Sequence, residues 1–134
     1  MKVSHSVVIT ALFVCSSLIS PSRAFALQEN VSAAQADSII RSTKNLVVLD
    51  VRTPEEFKLG HLENAVLIDY YGPKFYDNLE ALPKGSTILV YCRSGRRSAD
   101  ALEILKNLRY PRVYNMLGGI DAWKKDRRKV IRSR

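Results

Sequence analysis

Cysteine and histidine are scarce in this chain, with two of each among 134 residues. A disulfide-rich miniprotein needs several cysteine pairs, so that class does not fit. Residues 27–134 hold only one cysteine and one histidine, too few for the four ligands of a structural zinc site. Glycine and proline are also few, with six and five residues, which excludes collagen and a largely disordered chain. With 46% apolar and 25% charged residues, the composition is that of one globular domain.

The N-terminal segment lacks an apolar run long enough to span a membrane. Residues 7–19 are 13 uncharged residues, short of the ~20 that a bilayer requires. Lys2 precedes this run and Ala24-Phe25-Ala26 follows it, which is the pattern of a secretory signal peptide cut after Ala26. We therefore predict that residues 1–26 are a signal peptide and that the protein is exported, to the periplasm of a Gram-negative bacterium or otherwise secreted. An uncut anchor or a first helix of the domain is the alternative.

Removal of residues 1–26 would leave 108 residues and a single cysteine, Cys92. Exported proteins normally use their cysteines in pairs, because their compartments are oxidising. Cys92 would have no partner for an intrachain disulfide. It is therefore either a buried structural cysteine or a reactive group.

The positive charge is concentrated at the C-terminus. Residues 124–134 hold seven lysines and arginines and one aspartate, whereas the charges of residues 27–123 balance. No interleaved aromatic residues or groove-reading motif accompany the basic residues, so we expect no nucleic-acid binding. We interpret residues 124–134 as a solvated, frayed basic tail, with weak contact to an anionic surface as the alternative.

Short apolar runs alternate with helical patterns from residue 31 to residue 123. Strands are predicted at 46–49, 65–68, 87–91 and 112–115, and helices after Ser32, after Thr53, over 73–82, over 99–108 and around 120–123. Strands that alternate with helices are typical of a parallel sheet. We predict an α/β fold with a single domain over residues 27–123, in which helices flank the parallel sheet on both faces.

Sheets of this kind hold ligands beyond the carboxyl ends of their strands. Cys92 directly follows a predicted strand and begins a loop with one glycine and three arginines, and a helix follows the loop. Loop N–H groups, the helix dipole and the guanidinium groups all favour an anion, so we expect an exposed thiol with a pKa below the usual ~8.5. Arg97, at the start of that helix, opposes the dipole unless an anion compensates it.

The stretch from Cys92 to Arg97 resembles the active-site loop of the rhodanese family, in which a cysteine after a strand opens a six-residue loop that leads into a helix. Three further stretches resemble family motifs in the expected order, so that the likeness covers nearly all of residues 31–126. These are Leu49–Arg52 with Glu55–Phe57, then Gly60–Ala65, and finally Gly118–Trp123. With its signal peptide, the chain is most similar to the small exported single-domain thiosulfate sulfurtransferases.

The resemblance implies a two-step transfer in which the Cys92 thiolate takes sulfur from a small anionic donor, thiosulfate or a persulfide, and passes it to cyanide or a thiol. It implies that loop residues hold the donor, namely Arg93, Ser94, Gly95, Arg96 and Arg97. Asp50, Arg52 and His61 then have structural roles, with ionic hydrogen bonds joining the first two. The transfer needs no metal and no cofactor, and we expect a monomer.

Two other functions are compatible with parts of this pattern. Cysteine phosphatases and arsenate reductases of the same fold have five residues between the cysteine and the arginine, whereas four separate Cys92 from Arg97. The shorter loop suits one sulfur atom better than a tetrahedral phosphate. The second alternative is a non-catalytic domain, either one that carries a persulfide or one that binds a partner through its basic tail. Domains of the partner-binding kind usually lack the cysteine.

Overall fold

The computed structural model describes residues 27–132 and contains one five-stranded parallel sheet with the strand order β1-β5-β4-β2-β3. The predicted signal peptide lies outside the described residues. No helix within residues 27–132 is long and apolar enough to cross a membrane. The elements are β1 Leu27–Val31, α1 Ala33–Ser42, β2 Leu46–Asp50, α2 Pro54–Lys58, β3 Val66–Leu67, α3 Phe75–Glu80, β4 Thr87–Tyr91, α4 Arg96–Asn107, β5 Arg112–Met116 and α5 Gly119–Lys125.

The central strand β4 shows why helices cover both faces of the sheet. Because successive side chains of a strand point to opposite faces, Ile88 and Val90 pack in one apolar cluster and Leu89 and Tyr91 in another. Helices α3 and α4 contribute to the first cluster, and α1 and α5 to the second. The predicted α/β fold, a parallel sheet between two helical layers, is confirmed.

The two helices predicted after Ser32 and Thr53 are present, and each begins at a capping box. The Ser32 hydroxyl accepts the N–H of Gln35, whose side chain accepts the N–H of Ser32 in return. Thr53 and Glu56 form the same reciprocal pair at the start of α2. Each cap satisfies N–H groups that a helix end leaves without partners, and each is worth about 1 kcal/mol.

Strand β1 was not predicted. It forms a sheet edge and pairs in parallel with β5, with Leu27 opposite Arg112 and Val31 opposite Met116. Its middle residues are polar, so the segment carries none of the apolar run or alternation by which strands are recognised. Backbone pairing and one amide contact stabilise it instead, since Asn115 Nδ2 donates to Asn30 Oδ1 at 2.9 Å.

The prediction of a frayed C-terminal tail is wrong for the part of it that the structure describes. The predicted boundary after Trp123 falls inside α5, and the indole Nε1 of Trp123 donates to the carbonyl of Lys129 at 2.9 Å. Ile131 then forms an antiparallel bridge with His61, with N···O distances of 2.8 and 2.7 Å. The charge pattern of the sequence does not indicate these contacts, because they are made by backbone groups and by the apolar side chain of Val130. Val130 packs against the cluster to which α1 and α5 contribute.

Candidate active site

The site forms where β2 and β4 end side by side. Asp50 is the register partner of Tyr91, so the residues that follow these strands meet at one edge of the sheet. The N–H of Val51 donates to the carbonyl of Tyr91 at 3.0 Å and continues the pairing past the strand ends. Residues 50–52 and 92–97, which include Asp50, Arg52 and Cys92, are therefore brought together.

The loop after β4 curls around the sulfur of Cys92. The N–H of Gly95 donates to Sγ at 3.0 Å, and the hydroxyl of Ser98 lies 3.5 Å from Sγ. Gly95 has a φ of 104°, a left-handed conformation that glycine adopts without strain. This turn lets α4 begin directly beside the sulfur atom.

Hydrogen bonds make the Cys92 thiol more acidic despite its burial. Burial alone would raise the pKa of the thiol. Hydrogen bonds from the Ser98 hydroxyl and from the backbone N–H groups of Ser98, Gly95 and Ser94 lower it by more than burial raises it, so the pKa is below the usual value. The direction of the shift agrees with the sequence-based expectation. The contribution of the loop N–H groups agrees with it as well, whereas the Ser98 hydroxyl was not singled out and no arginine is among the main contributions.

The expectation of an exposed thiol is wrong, because Cys92 is only 1% exposed. The physical reason lies in the hydrogen bonds themselves. Amide groups that reach the sulfur to stabilise its negative charge also cover it. The neighbouring Arg93 and Ser94 are exposed and form the outer surface of the loop.

Helix α5 holds the loop from behind. The N–H of Ile120 donates to the carbonyl of Cys92 at 2.9 Å, and the N–H of Asp121 donates to the carbonyl of Arg93 at 3.1 Å. In a trans peptide the N–H points away from the preceding carbonyl. Fixing the Arg93 carbonyl against α5 therefore directs the Ser94 N–H away from that helix, and this N–H is among the groups that lower the pKa of Cys92.

Gly119 makes the close approach of α5 to the loop possible. A Cβ atom at this position would lie 2.3 Å from the carbonyl oxygen of Cys92 and 2.5 Å from that of Arg93. Its φ of 56° is also left-handed. Sequence reasoning grouped this glycine with a family motif but did not assign it to the active-site loop.

The anion that compensates Arg97 is the protein's own Glu56. Two nitrogens of the guanidinium group donate to the two carboxylate oxygens at 2.8 and 2.9 Å. Glu56 Oε2 also accepts the N–H of Thr53 at 3.1 Å, so one carboxylate caps α2 and anchors the start of α4. The assignment of Arg97 to donor binding stays a prediction, with its guanidinium group already bound to Glu56.

Acid is expected to weaken this ion pair. The Arg97 hydrogen bonds, opposed by burial and aided by the Thr53 N–H, lower the pKa of Glu56 from 4.5 to about 2. A carboxylate whose pKa is depressed by folding stabilises the protein above its unfolded pKa and loses that contribution as the pH falls through the folded one. The free energy of unfolding should therefore fall between pH 4.5 and about 2 more steeply in the wild type than in Glu56→Gln.

The control for this prediction is Glu80→Gln, which changes an exposed carboxylate that forms no ion pair within residues 27–132. Urea denaturation of all three proteins over that pH range measures the difference. Equal pH dependence for the wild type and Glu56→Gln would contradict the ion-pair interpretation.

Arg93 and Arg96 lie at the mouth of the loop. The Arg93 side chain is 70% exposed, and its Nε lies 3.4 Å from a carboxylate oxygen of Asp121. Together with Ser94 and Arg97, these arginines line an open depression of about 420 Å³. Four of the five predicted donor-binding residues thus line one depression beside the loop, and the fifth, Gly95, donates its N–H to the Cys92 sulfur.

Two tyrosines also line this depression and were missed by sequence reasoning. The hydroxyl of Tyr70 donates to Asp100 at 3.0 Å, and the ring of Tyr71 lies 5.7 Å from the guanidinium carbon of Arg97. Both tyrosines follow β3. The rule that ligands bind beyond the carboxyl ends of parallel strands would have identified them, had it been applied to this short strand.

Asp50 and Arg52 form a buried ion pair behind the site. Arg52 donates to Asp50 through Nε at 2.9 Å and through Nη2 at 2.6 Å, and its Nη2 also donates to the carbonyl of Gly60 at 2.7 Å. The two residues are 0% and 3% exposed. Their contacts join the end of β2 to the segment that begins at Gly60.

His61 lies in that segment and makes contacts with the body of the domain. Its Nδ1 lies 3.1 Å from the carbonyl of Phe57, and its ring stacks on the Phe57 ring with centroids 3.8 Å apart. Its backbone pairs with Ile131. Within residues 27–132, no group of three or more His, Cys, Asp or Glu side chains could hold a metal ion.

Comparison with known proteins agrees with this geometry. Residues 32–126 match the family model described as a rhodanese-like domain. A sulfurtransferase of Allochromatium vinosum is 34% identical over 95 residues, which cover 71% of this chain and 82% of that protein. The chloroplastic thiosulfate sulfurtransferase 16 of Arabidopsis thaliana is 34% identical over 88 residues, covering 58% and 73%.

Larger proteins contain a similar unit. The adenylyltransferase and sulfurtransferase UBA4 of Candida albicans is 37% identical over 103 residues, which cover 72% of this chain but only 23% of that longer protein. The crystal structure of a rhodanese-related protein from Thermoplasma volcanium superposes with a TM-score of 0.69 and 28% identity, covering 78% of this chain and 99% of that one. This chain belongs to the rhodanese-like domain family.

Proposed function

We propose that this protein is a sulfurtransferase that carries the outer sulfur of thiosulfate as a persulfide on Cys92 and delivers it to cyanide or a thiol. The observation that carries the proposal is the Cys92 sulfur, which accepts the Gly95 N–H at 3.0 Å inside a six-residue loop whose outer surface is basic. The relatives named as sulfurtransferases support the same activity.

The chemistry follows from where the negative charge moves. The Cys92 thiolate attacks the outer sulfur of thiosulfate, the S–S bond breaks, and sulfite leaves with the electron pair. The acceptor then attacks the outer sulfur of the persulfide, and the Cys92 thiolate is the leaving group. The amides that stabilise the thiolate also favour its departure, so one loop serves both steps.

The length of the loop and the ion pair between Arg97 and Glu56 favour a sulfur donor over a phosphate ester as the substrate. A phosphatase loop uses its arginine to grip the phosphate oxygens, whereas Glu56 occupies the Arg97 guanidinium group through two hydrogen bonds. Arg93 and Arg96 remain exposed at the loop surface. A small dianion such as thiosulfate needs attraction at the mouth of the site, and exposed cations supply it.

Parallel assays test the proposal. Reduced protein is incubated with thiosulfate and cyanide in one assay and with p-nitrophenyl phosphate in the other. We expect thiocyanate formation and no phosphate release, and intact mass spectrometry should find one added sulfur atom after thiosulfate alone. Because Cys92 is 1% exposed, this experiment also measures whether thiosulfate reaches the sulfur. Phosphate release without thiocyanate would support the phosphatase alternative, and neither product would support a non-catalytic domain.

Removal of the Ser98 hydroxyl should make the thiol less acidic. In Ser98→Ala the thiolate loses a hydrogen-bond donor, so the pKa of Cys92 should rise and the rate of persulfide formation at neutral pH should fall. The two rates should converge at alkaline pH, where both thiols are ionised. Single-turnover rates with thiosulfate as a function of pH measure this shift. Ser94→Ala is the matched control for the pKa of Cys92, because Ser94 is exposed and the variant keeps the backbone N–H that contributes to that pKa. Identical pH profiles for both variants would contradict the prediction.

The proposal includes export of the protein. Its support is the sequence of residues 1–26, with a basic start, an uncharged run and a small-x-small cleavage pattern. N-terminal sequencing of the protein recovered from the periplasm or the medium of an expressing bacterium tests it. We expect the mature chain to begin at Leu27, and recovery of the full chain in the cytoplasm alone would contradict export.

A further inference from the structure

A second depression borders the active-site loop and has no role in the proposed transfer of sulfur from thiosulfate to Cys92. Its volume is about 320 Å³, and Leu59, Ile120, Asp121 and Lys124 line it together with Arg93 and Glu56. Arg93 and Glu56 also line the depression that holds Arg96 and Arg97. The two depressions therefore adjoin, and together they form a groove that passes over the loop.

The charges along this groove are unevenly compensated. Arg93 has Asp121 as its partner at 3.4 Å, and Arg97 has Glu56. Lys124 and Arg96, which line one depression each, form no ion pair with any other residue of the described range 27–132. Asp100 lines the same depression as Arg96 and likewise forms no ion pair within residues 27–132. The excess cation of the groove is therefore Lys124, which is complementary to an anionic ligand.

The second depression also has an apolar wall. Leu59, at the C-terminal end of α2, is 74% exposed, and it is the large apolar side chain of the groove that lies most open to solvent. An exposed leucine alone needs no explanation. Beside Lys124 and the active-site loop, it offers an apolar contact to a ligand that extends past the reacting sulfur.

We propose that this groove binds the sulfur acceptor, and that the acceptor is a cysteine thiol within an acidic, extended segment of a partner protein, selected by Lys124 and Leu59. The inference rests on the function proposed above. A polypeptide fits because the groove is open and extends over two adjoining depressions that share Arg93 and Glu56, whereas a small thiol would occupy only one of them. The acceptor thiolate attacks the outer sulfur of the Cys92 persulfide, the S–S bond breaks, Cys92 leaves as a thiolate, and the acceptor becomes the persulfide.

The experiment uses synthetic peptides as acceptors. Protein loaded with thiosulfate is mixed with acetyl-Glu-Leu-Cys-Glu-amide, with acetyl-Lys-Leu-Cys-Lys-amide or with glutathione, and the loss of the protein persulfide is followed by mass spectrometry. We expect the acidic peptide to react fastest. Lys124→Glu should lower the ratio of acidic to basic peptide rates roughly fivefold, as expected for one charge reversal at an exposed site, and Leu59→Ser should slow both peptides.

The matched control is Lys125→Glu, which reverses the next exposed lysine of α5 outside the groove. It should leave the ratio unchanged. An equal effect of both lysine variants would mean that the preference for the acidic peptide depends only on the net charge of the protein. That result would overturn the proposed binding in the groove. Equal rates for glutathione and the acidic peptide, with the same dependence on Lys124, would overturn the polypeptide acceptor in favour of a small anionic thiol.

A binding measurement separates this inference from the proposed function. A fluorescent acidic peptide with serine in place of cysteine should bind the wild type and Lys125→Glu with equal affinity, and Lys124→Glu roughly fivefold more weakly, whether or not sulfur is transferred. Absence of a persulfide after thiosulfate treatment would overturn the proposed function alone. Absence of Lys124-dependent binding would overturn the proposed binding of the acceptor in the groove and leave the proposed sulfur transfer unaffected.

Discussion

Cys92→Ser should lose thiosulfate-dependent thiocyanate formation completely, a decrease of at least ~10⁴-fold. Sulfur transfer through a persulfide needs a sulfur nucleophile that also departs as a stable anion, and a serine hydroxyl does neither at neutral pH. The expected effect exceeds that of any arginine variant, because loop cations only attract and orient the donor. Thiocyanate release and the mass of the thiosulfate-treated protein are the measurements.

The fold of Cys92→Ser should remain intact. A serine hydroxyl at this position accepts the Gly95 N–H in place of the thiolate, and it changes the volume of the buried site little. Far-ultraviolet circular dichroism and the urea midpoint check this. A sulfur adduct on Cys92→Ser would sink the proposal, because Cys92 is the free cysteine of the described residues and the other cysteine, Cys15, belongs to the predicted signal peptide.

Gly119→Ala should destabilise the protein by roughly 3–5 kcal/mol and disrupt the active-site loop. The added methyl group would lie 2.3 Å from the Cys92 carbonyl oxygen and 2.5 Å from that of Arg93. Both are backbone atoms of a loop that already donates to the sulfur on its other side, so neither can move without changing the hydrogen bonds around Cys92. Urea denaturation measures the loss of stability, and single-turnover persulfide formation measures the loss of loop geometry.

Gly85→Ala is the matched control for this prediction. Gly85 has a φ of 88°, and a Cβ atom there would meet nothing within 4 Å. Its substitution carries only the left-handed backbone penalty, about 1–2 kcal/mol. Equal destabilisation by the two variants would mean that the contact between α5 and the loop contributes nothing beyond backbone strain, contrary to the geometry.

Local patterns predicted most of the fold. Strands β2 and β4 are apolar runs, and both capped helices begin at the residues where the capping boxes stand, because these signals depend on neighbours within a few positions along the chain. Strand β1 lacks such a signal. Its pairing with β5 depends on a partner 85 residues away, as the contact between Asn30 and Asn115 illustrates.

The sequence by itself located Cys92, the proposed nucleophile, because a cysteine between a buried strand and a glycine-containing basic loop is a local pattern with a direct chemical meaning. Only the tertiary structure decided what surrounds it. Glu56 neutralises Arg97 across 41 residues, α5 fixes the loop carbonyls from behind, and amides cover the sulfur that was expected to be exposed. These contacts join segments that are far apart in the chain, and their geometry follows from strand register and helix packing, which no short stretch of sequence encodes.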